Sequence, residues 1–126
     1  MKRATGLGGV FFRSKDPSSL GAWYKNHLGV PVDEGGYGMF NACTGGNDHQ
    51  PAMTVWAAFE EGTEYFGRPE QQLMLNYRVE DLDALLEQLT LEGVEIVPHR
   101  EDNDFGRFAW IVDPEGNRIE LWQPPK

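Results

Sequence analysis

Residues 71 to 93 read Gln71-Gln72-Leu73-Met74-Leu75-Asn76-Tyr77-Arg78-Val79-Glu80-Asp81-Leu82-Asp83-Ala84-Leu85-Leu86-Glu87-Gln88-Leu89-Thr90-Leu91-Glu92-Gly93, and the period changes at Asp81. Before it, Leu73, Leu75, Tyr77 and Val79 alternate with Gln72, Met74, Asn76 and Arg78, which is the period of two of a half-buried strand. After it, Leu82, Leu85, Leu86 and Leu89 recur at helical spacing. Asp81 offers an N-cap side chain, and Gly93 supplies the left-handed stop.

The same order occurs upstream. Arg13 matches Arg78, Asp16 matches Asp81 and Leu20 matches Leu85, each 65 residues apart; Gly29 matches Gly93 at an offset of 64. Gly6 to Arg13 reads as a strand. Asp16-Pro17 opens a helix, with Leu20, Trp23, Tyr24, His27 and Leu28 expected on its buried face and Gly29 closing it. Short strands are expected at Val30–Glu34 and Tyr37–Asn41, a loop from Thr44 to Pro51, and a fourth strand at Ala52–Phe59. In the second copy, Val94–Pro98 and Phe105–Val112 read as strands around a loop at Glu101–Asn103. Asp113-Pro114-Glu115-Gly116 is turn chemistry, and Asn117–Gln123 is the last strand. The expected fold class is α+β. Two βαβββ modules, residues 6–59 and 71–123, are joined by a linker over 60–70 in one domain spanning 1–126.

Composition narrows the function. A chain of 126 residues with 40% hydrophobic and 12% aromatic content suits a packed globular domain. A formal net charge of −9 opposes nucleic acid and anionic lipid, both of which need clustered Lys and Arg, so neither is expected as a partner. The same charge would steer cations inward. One cysteine, Cys43, excludes an internal disulfide and a multi-cysteine zinc site within the chain. It has no basic neighbour in sequence and reads as inert. No apolar run approaches a membrane span and no signal-peptide core is seen; a cytoplasmic setting is expected.

Period two also sorts faces. Ile119 and Leu121 oppose Arg118, Glu120 and Trp122, while Val10 and Phe12 oppose Leu7, Gly9 and Phe11. One concave face is expected to carry Phe11, Gln72, Met74, Asn76, Glu120 and Trp122. An aromatic surface with a few polar anchors suits a small-molecule pocket; a face that is solvated or buried against a partner subunit would show the same pattern.

Gly106-Arg107-Phe108-Ala109-Trp110-Ile111-Val112-Asp113-Pro114-Glu115-Gly116-Asn117-Arg118-Ile119-Glu120-Leu121-Trp122 resembles the closing hairpin of the vicinal-oxygen-chelate superfamily, which contains glyoxalases, bleomycin-resistance proteins and extradiol dioxygenases. Phe12-Arg13-Ser14-Lys15-Asp16-Pro17, Trp23-Tyr24, Leu28-Gly29-Val30 and Tyr77 to Leu85 are similar to the rest of its pattern. The resemblance implies two modules curling their sheets around a cavity, often completed in a homodimer. It also implies that metal-using members place ligands at positions carried here by Gly9, a residue near Trp56, Met74 and Glu120. Of these only Glu120 can ligate a divalent metal, since a thioether is too soft and the others offer no donor. A bound metal, or any other cofactor, is therefore not expected.

Two readings follow. The first is a glyoxalase/bleomycin-resistance-like protein that binds a small molecule without a complete metal site. The second is a metal-dependent lyase, isomerase or dioxygenase that uses Glu120 with unrecognised ligands. Without metal, Glu120 reads as a base or ligand anchor whose pKa should rise on an apolar face, or as a carboxylate paired with Arg107, Arg118 or Arg78. Arg107 could clamp a substrate carboxylate or face solvent. Asn76 and Gln72 offer neutral donors for a carbonyl. Phe11, Trp56 and Trp122 offer stacking walls or plain core. His27 is expected to be structural at the helix end, and His49 and His99 fall in expected loops. Tyr65-Phe66 in the linker is expected to pack at a subunit interface.

Overall fold

The computed structural model describes residues 2–43 and 51–125, apart from the side chains of residues 42, 43, 51 and 52. Its elements run β1 (Ala4–Ser14), α1 (Pro17–Leu28), β2 (Tyr37–Cys43), β3 (Pro51–Glu60), β4 (Leu73–Val79), α2 (Leu82–Leu91), β5 (Glu95–Asn103), β6 (Gly106–Val112) and β7 (Arg118–Gln123). The class is α+β, as the strand–helix–strand repeat requires. Cys43's side chain, His49 and the loop from Thr44 lie outside the described residues.

The chain divides into two compact units, residues 8–73 and residues 1–7 with 74–126. In the first, β1 runs parallel to β3, with Val10 opposite Trp56 and Phe11 opposite Ala57. β2 runs antiparallel to β3. Asp16 caps α1 by accepting from the Ser19 amide at 3.1 Å and its hydroxyl at 2.9 Å, and these bonds hold its carboxyl below the usual carboxylate range. Gly29 ends the helix at φ 70°, a conformation that strains any side chain. The strand expected at Val30–Glu34 is reduced to one bridge, Val32 to Gly38.

The buried stripe of α1 is narrower than its sequence pattern. Leu20 and Tyr24 pack with Phe12, Trp56, Val30 and Val32. Trp23 and Leu28 are 52% and 64% exposed, and His27 is exposed with its ring against Trp23. The reason is Gly21: a Cβ there would lie 2.8 Å from Val32 Cγ1 and 3.1 Å from Gly36 Cα. The helix docks through its thinnest point, which turns the neighbouring stripe outward.

The second unit completes the βαβββ pattern, β4 parallel to β7, β7 antiparallel to β6, and β6 antiparallel to β5. Leu82, Leu85, Leu86 and Leu89 of α2 pack on Val79, Ala109 and Leu121. Each buried leucine contributes about 1.5–3 kcal/mol relative to exposure. Asp81 caps the helix through the Ala84 amide, and Gln123 Oε1 accepts from the Leu82 amide. Asp113 Oδ1 accepts from the Glu115 and Asn117 amides, so the Asp113-to-Asn117 motif works as a turn between β6 and β7. The loop expected at Glu101–Asn103 is strand instead: Glu101 pairs with Phe108 and Asn103 with Gly106, after a register shift between Ile96 and Arg100. Pro98 falls within that shift, where a strand proline is tolerated.

Candidate functional site

The leucines of α2 cover the odd-numbered side of β6 and β7, so period two turns Phe108, Trp110, Glu120 and Trp122 to the other face. Glu120 stands opposite Trp110 on one side and Asn76 on the other. It is 2% exposed, a carboxylate in a wall otherwise built from Met74, Trp110 and Trp122. Asn76 Nδ2 donates to Glu120 Oε1 at 2.5 Å and Trp110 Nε1 donates to Oε2 at 3.0 Å. Each carboxyl oxygen thus accepts from a neutral donor, which fixes its orientation. The Asn76 carbonyl oxygen, by contrast, is buried with no hydrogen-bond partner.

The aromatic groups extend this wall. Phe108 stacks on Trp122, whose Nε1 donates to the Phe105 carbonyl at 2.8 Å. His99 stacks on Trp110 with centroids 5.5 Å apart and lies 3.2 Å from Glu101 Oε1. His99 is therefore brought to the edge of the Glu120 face by β5 rather than carried on a loop. Pro98 inside an apolar run was the sequence signal for the irregular strand that aims it there. Trp110 was also missed as a site residue, although its alternation with Ala109 and Ile111 matches that of Glu120.

Three expected site residues, Arg107, Trp56 and Gln72, are engaged in other contacts. Arg107 projects to the helix side, where its Nη1 donates to Asp83 Oδ2 at 2.8 Å and its Nε lies 3.5 Å from Asp102 Oδ1. Arg100, with Arg107 second, holds the Asp83 carboxyl below the usual range. Odd parity on β6 is the cause, and it removes Arg107 from the Glu120 face. Beside Arg107 lies a recess of about 340 Å³ lined by Asp102, Asn103, Gln123 and Pro124. Trp56 packs against Tyr24 and Phe12 on the helix side of its sheet, opposite in parity to Phe11, so the two do not share a wall. Gln72 is exposed and its Nε2 donates to the Arg13 carbonyl at 3.1 Å. Asn76 keeps its place, but its donor is committed to Glu120.

Phe11 belongs to an aromatic group of the first unit with Phe59 and Tyr65. Phe66 is fully buried there against Phe59, so it packs within its own chain rather than at a subunit interface. Arg13, 6% exposed, organises this group. Its guanidinium donates to the carbonyls of Gln71, Glu61, Thr63 and Arg68 at 2.6–2.9 Å and lies 5.0 Å from the Phe66 ring centroid.

A divalent metal fits these residues poorly. Gly9 has no ligating atom, and a Cβ there would meet the Phe11 ring at 2.8 Å and the Val55 carbonyl at 3.2 Å. Met74 offers only a soft thioether, and both Glu120 oxygens already accept hydrogen bonds. Among the described residues no three His, Cys, Asp or Glu side chains gather as a metal-holding group. No helix among them is long and apolar enough to cross a membrane.

A family model for a glyoxalase-like domain matches residues 9–122. An uncharacterised Bacillus subtilis (strain 168) protein, YraH, is 29% identical over 108 residues, 80% of this chain and 84% of that one. The fold is shared with methylmalonyl-CoA epimerase from Mycobacterium tuberculosis, at 24% identity and a TM-score of 0.65, covering 100% of this chain and 94% of that one. It is shared as well with a glyoxalase/bleomycin resistance protein/dioxygenase superfamily member from Vibrio splendidus 12B01, at 12% identity and a TM-score of 0.60, covering 93% and 98%.

Proposed function

The chain belongs to the glyoxalase-like domain family, and on that premise we propose that it binds a small molecule on the sheet face carrying Glu120, without a complete set of ligands for a catalytic metal. The observation that carries this reading is the buried Glu120 carboxylate, clamped by Asn76 and Trp110 in an aromatic wall. Burying a carboxylate is costly unless it is hydrogen-bonded, and here the bonds come from side chains that also line the face. Such a group serves as a fixed anchor for a ligand, with Trp110 and Trp122 supplying apolar surface. Superfamily members that work through a metal need several donors; here Glu120 alone supplies an oxygen at those positions.

The protein is further proposed to act as a homodimer, which the exposed apolar side chains Tyr37, Phe40 and Trp23 of the first unit support. Size-exclusion chromatography with light scattering reads that directly. The binding reading is tested by metal analysis of the purified protein together with thermal-shift titration. The expected result is substoichiometric metal and no rise in melting temperature with Ni, Zn, Mn or Fe. Stoichiometric metal that raises the melting temperature would favour the metal-dependent enzyme instead.

A further inference from the structure

We propose that the ligand held beside Glu120 is an organic ammonium ion on an aromatic or apolar body, its N–H donating to the Asn76 carbonyl oxygen; this rests on the binding reading above. The starting point is the polarity of what the site leaves over. Asn76 carries two kinds of polar atom. Its Nδ2 is committed to Glu120 Oε1 at 2.5 Å. Its Oδ1 is buried and unpartnered, in a residue 2% exposed. Buried acceptors are satisfied in nearly all folded proteins, so an orphan marks a place where a donor belongs.

The orphan reverses the expectation drawn from residue type. An asparagine on a pocket face can greet a carbonyl through its NH₂ or a donor through its oxygen. Glu120 decides which, because its Oε1 already accepts from the Asn76 NH₂ and leaves the Oδ1 unpartnered. A ligand carbonyl or carboxylate at Asn76 would set acceptor against acceptor, one amide width from a negative charge. A hydroxyl can satisfy the oxygen. An ammonium satisfies it and also gains from the carboxylate, through a charge-assisted bond in a weakly polar setting. The Trp110 indole beside Glu120 is buried with His99 stacked on it, an apolar surrounding in which a charge-assisted bond gains strength. The net charge of −9 favours approach of the same class of ligand.

The test uses three probes of matched size, benzylammonium chloride, benzyl alcohol and sodium benzoate, with the intact protein. Binding is followed by calorimetry and by NMR of the Trp110 indole N–H and the Asn76 side-chain amide. Raised ionic strength screens the long-range attraction that net charge alone would give. Benzylammonium is expected to bind about tenfold more tightly than benzyl alcohol, to shift both NMR signals, and to leave benzoate without measurable binding. Glu120→Gln is expected to abolish that preference. Benzoate binding as tightly as benzylammonium would overturn the ammonium assignment and leave the binding reading standing. Benzylammonium binding that leaves the Asn76 amide unshifted, or a preference that survives in Glu120→Gln, would also overturn the assignment. Failure of all three probes to bind would count against both. Because the comparison among probes is made on the unaltered chain, a variant that fails to fold does not remove the test.

Discussion

Replacing Glu120 separates two roles that a buried carboxylate can play, holding charge and satisfying neighbours. In Glu120→Ala, Asn76 Nδ2 and Trp110 Nε1 both lose their acceptor inside the fold. Each stranded donor costs about 1–3 kcal/mol, and the truncated side chain leaves a void, so the expected loss is about 3–5 kcal/mol. In Glu120→Gln the shape is kept. The new amide oxygen can accept from Trp110, and its NH₂ can donate to Asn76 Oδ1 if the Asn76 amide turns over. One orphan is exchanged for another, Nδ2 in place of Oδ1, and charge-assisted bonds become neutral ones. The expected loss is then about 1 kcal/mol. Urea unfolding followed by tryptophan fluorescence measures both, provided that the denaturant slopes match. The turned amide also changes what the site offers, from an acceptor to a donor, so Glu120→Gln should gain affinity for benzoate as it loses it for benzylammonium. Equal destabilisation by Gln and Ala would refute the account, and so would an Ala variant losing less than about 1 kcal/mol.

Arg13→Lys is expected to destabilise the protein by about 2–4 kcal/mol, because an ammonium cannot reproduce the planar donors that reach four separate carbonyls. Hydrogen exchange should quicken over residues 61–71, and an unchanged exchange pattern would contradict the role given to Arg13. At the surface, Arg3 holds the Glu92 carboxyl down from 4.5 to about 2 through a hydrogen bond at 2.6 Å, with Gln88 assisting. A depressed folded-state value means that the pair's contribution is complete above about 4.5 and is lost as pH falls through about 2. Carbon-detected NMR titration should find Glu92 near the lower value in the natural chain and clearly higher in Arg3→Ala, where Gln88 remains. A midpoint already near 4.5 with Arg3 present would contradict the pairing.

Local periodicity made the strand-helix repeat legible. The leucine stripe of α2, the caps at Asp16 and Asp81 and the turn from Asp113 to Asn117 are short-range features, so residue type and spacing determined them. The same alternation put Met74, Asn76, Glu120 and Trp122 on one face, because parity along a strand needs no knowledge of the fold. Tertiary structure alone decided the rest. Gly21 set how closely α1 docks and turned Trp23 outward. The irregularity near Pro98 gave β5 a register that alternation could not supply, and it carried His99 to Trp110. Most consequentially, the sequence offered Asn76 as a donor for a ligand carbonyl, while the position of Glu120 across β4 and β7 takes that donor and leaves the acceptor. A hydrogen bond depends on distance and direction between groups 44 positions apart, and no local pattern encodes either.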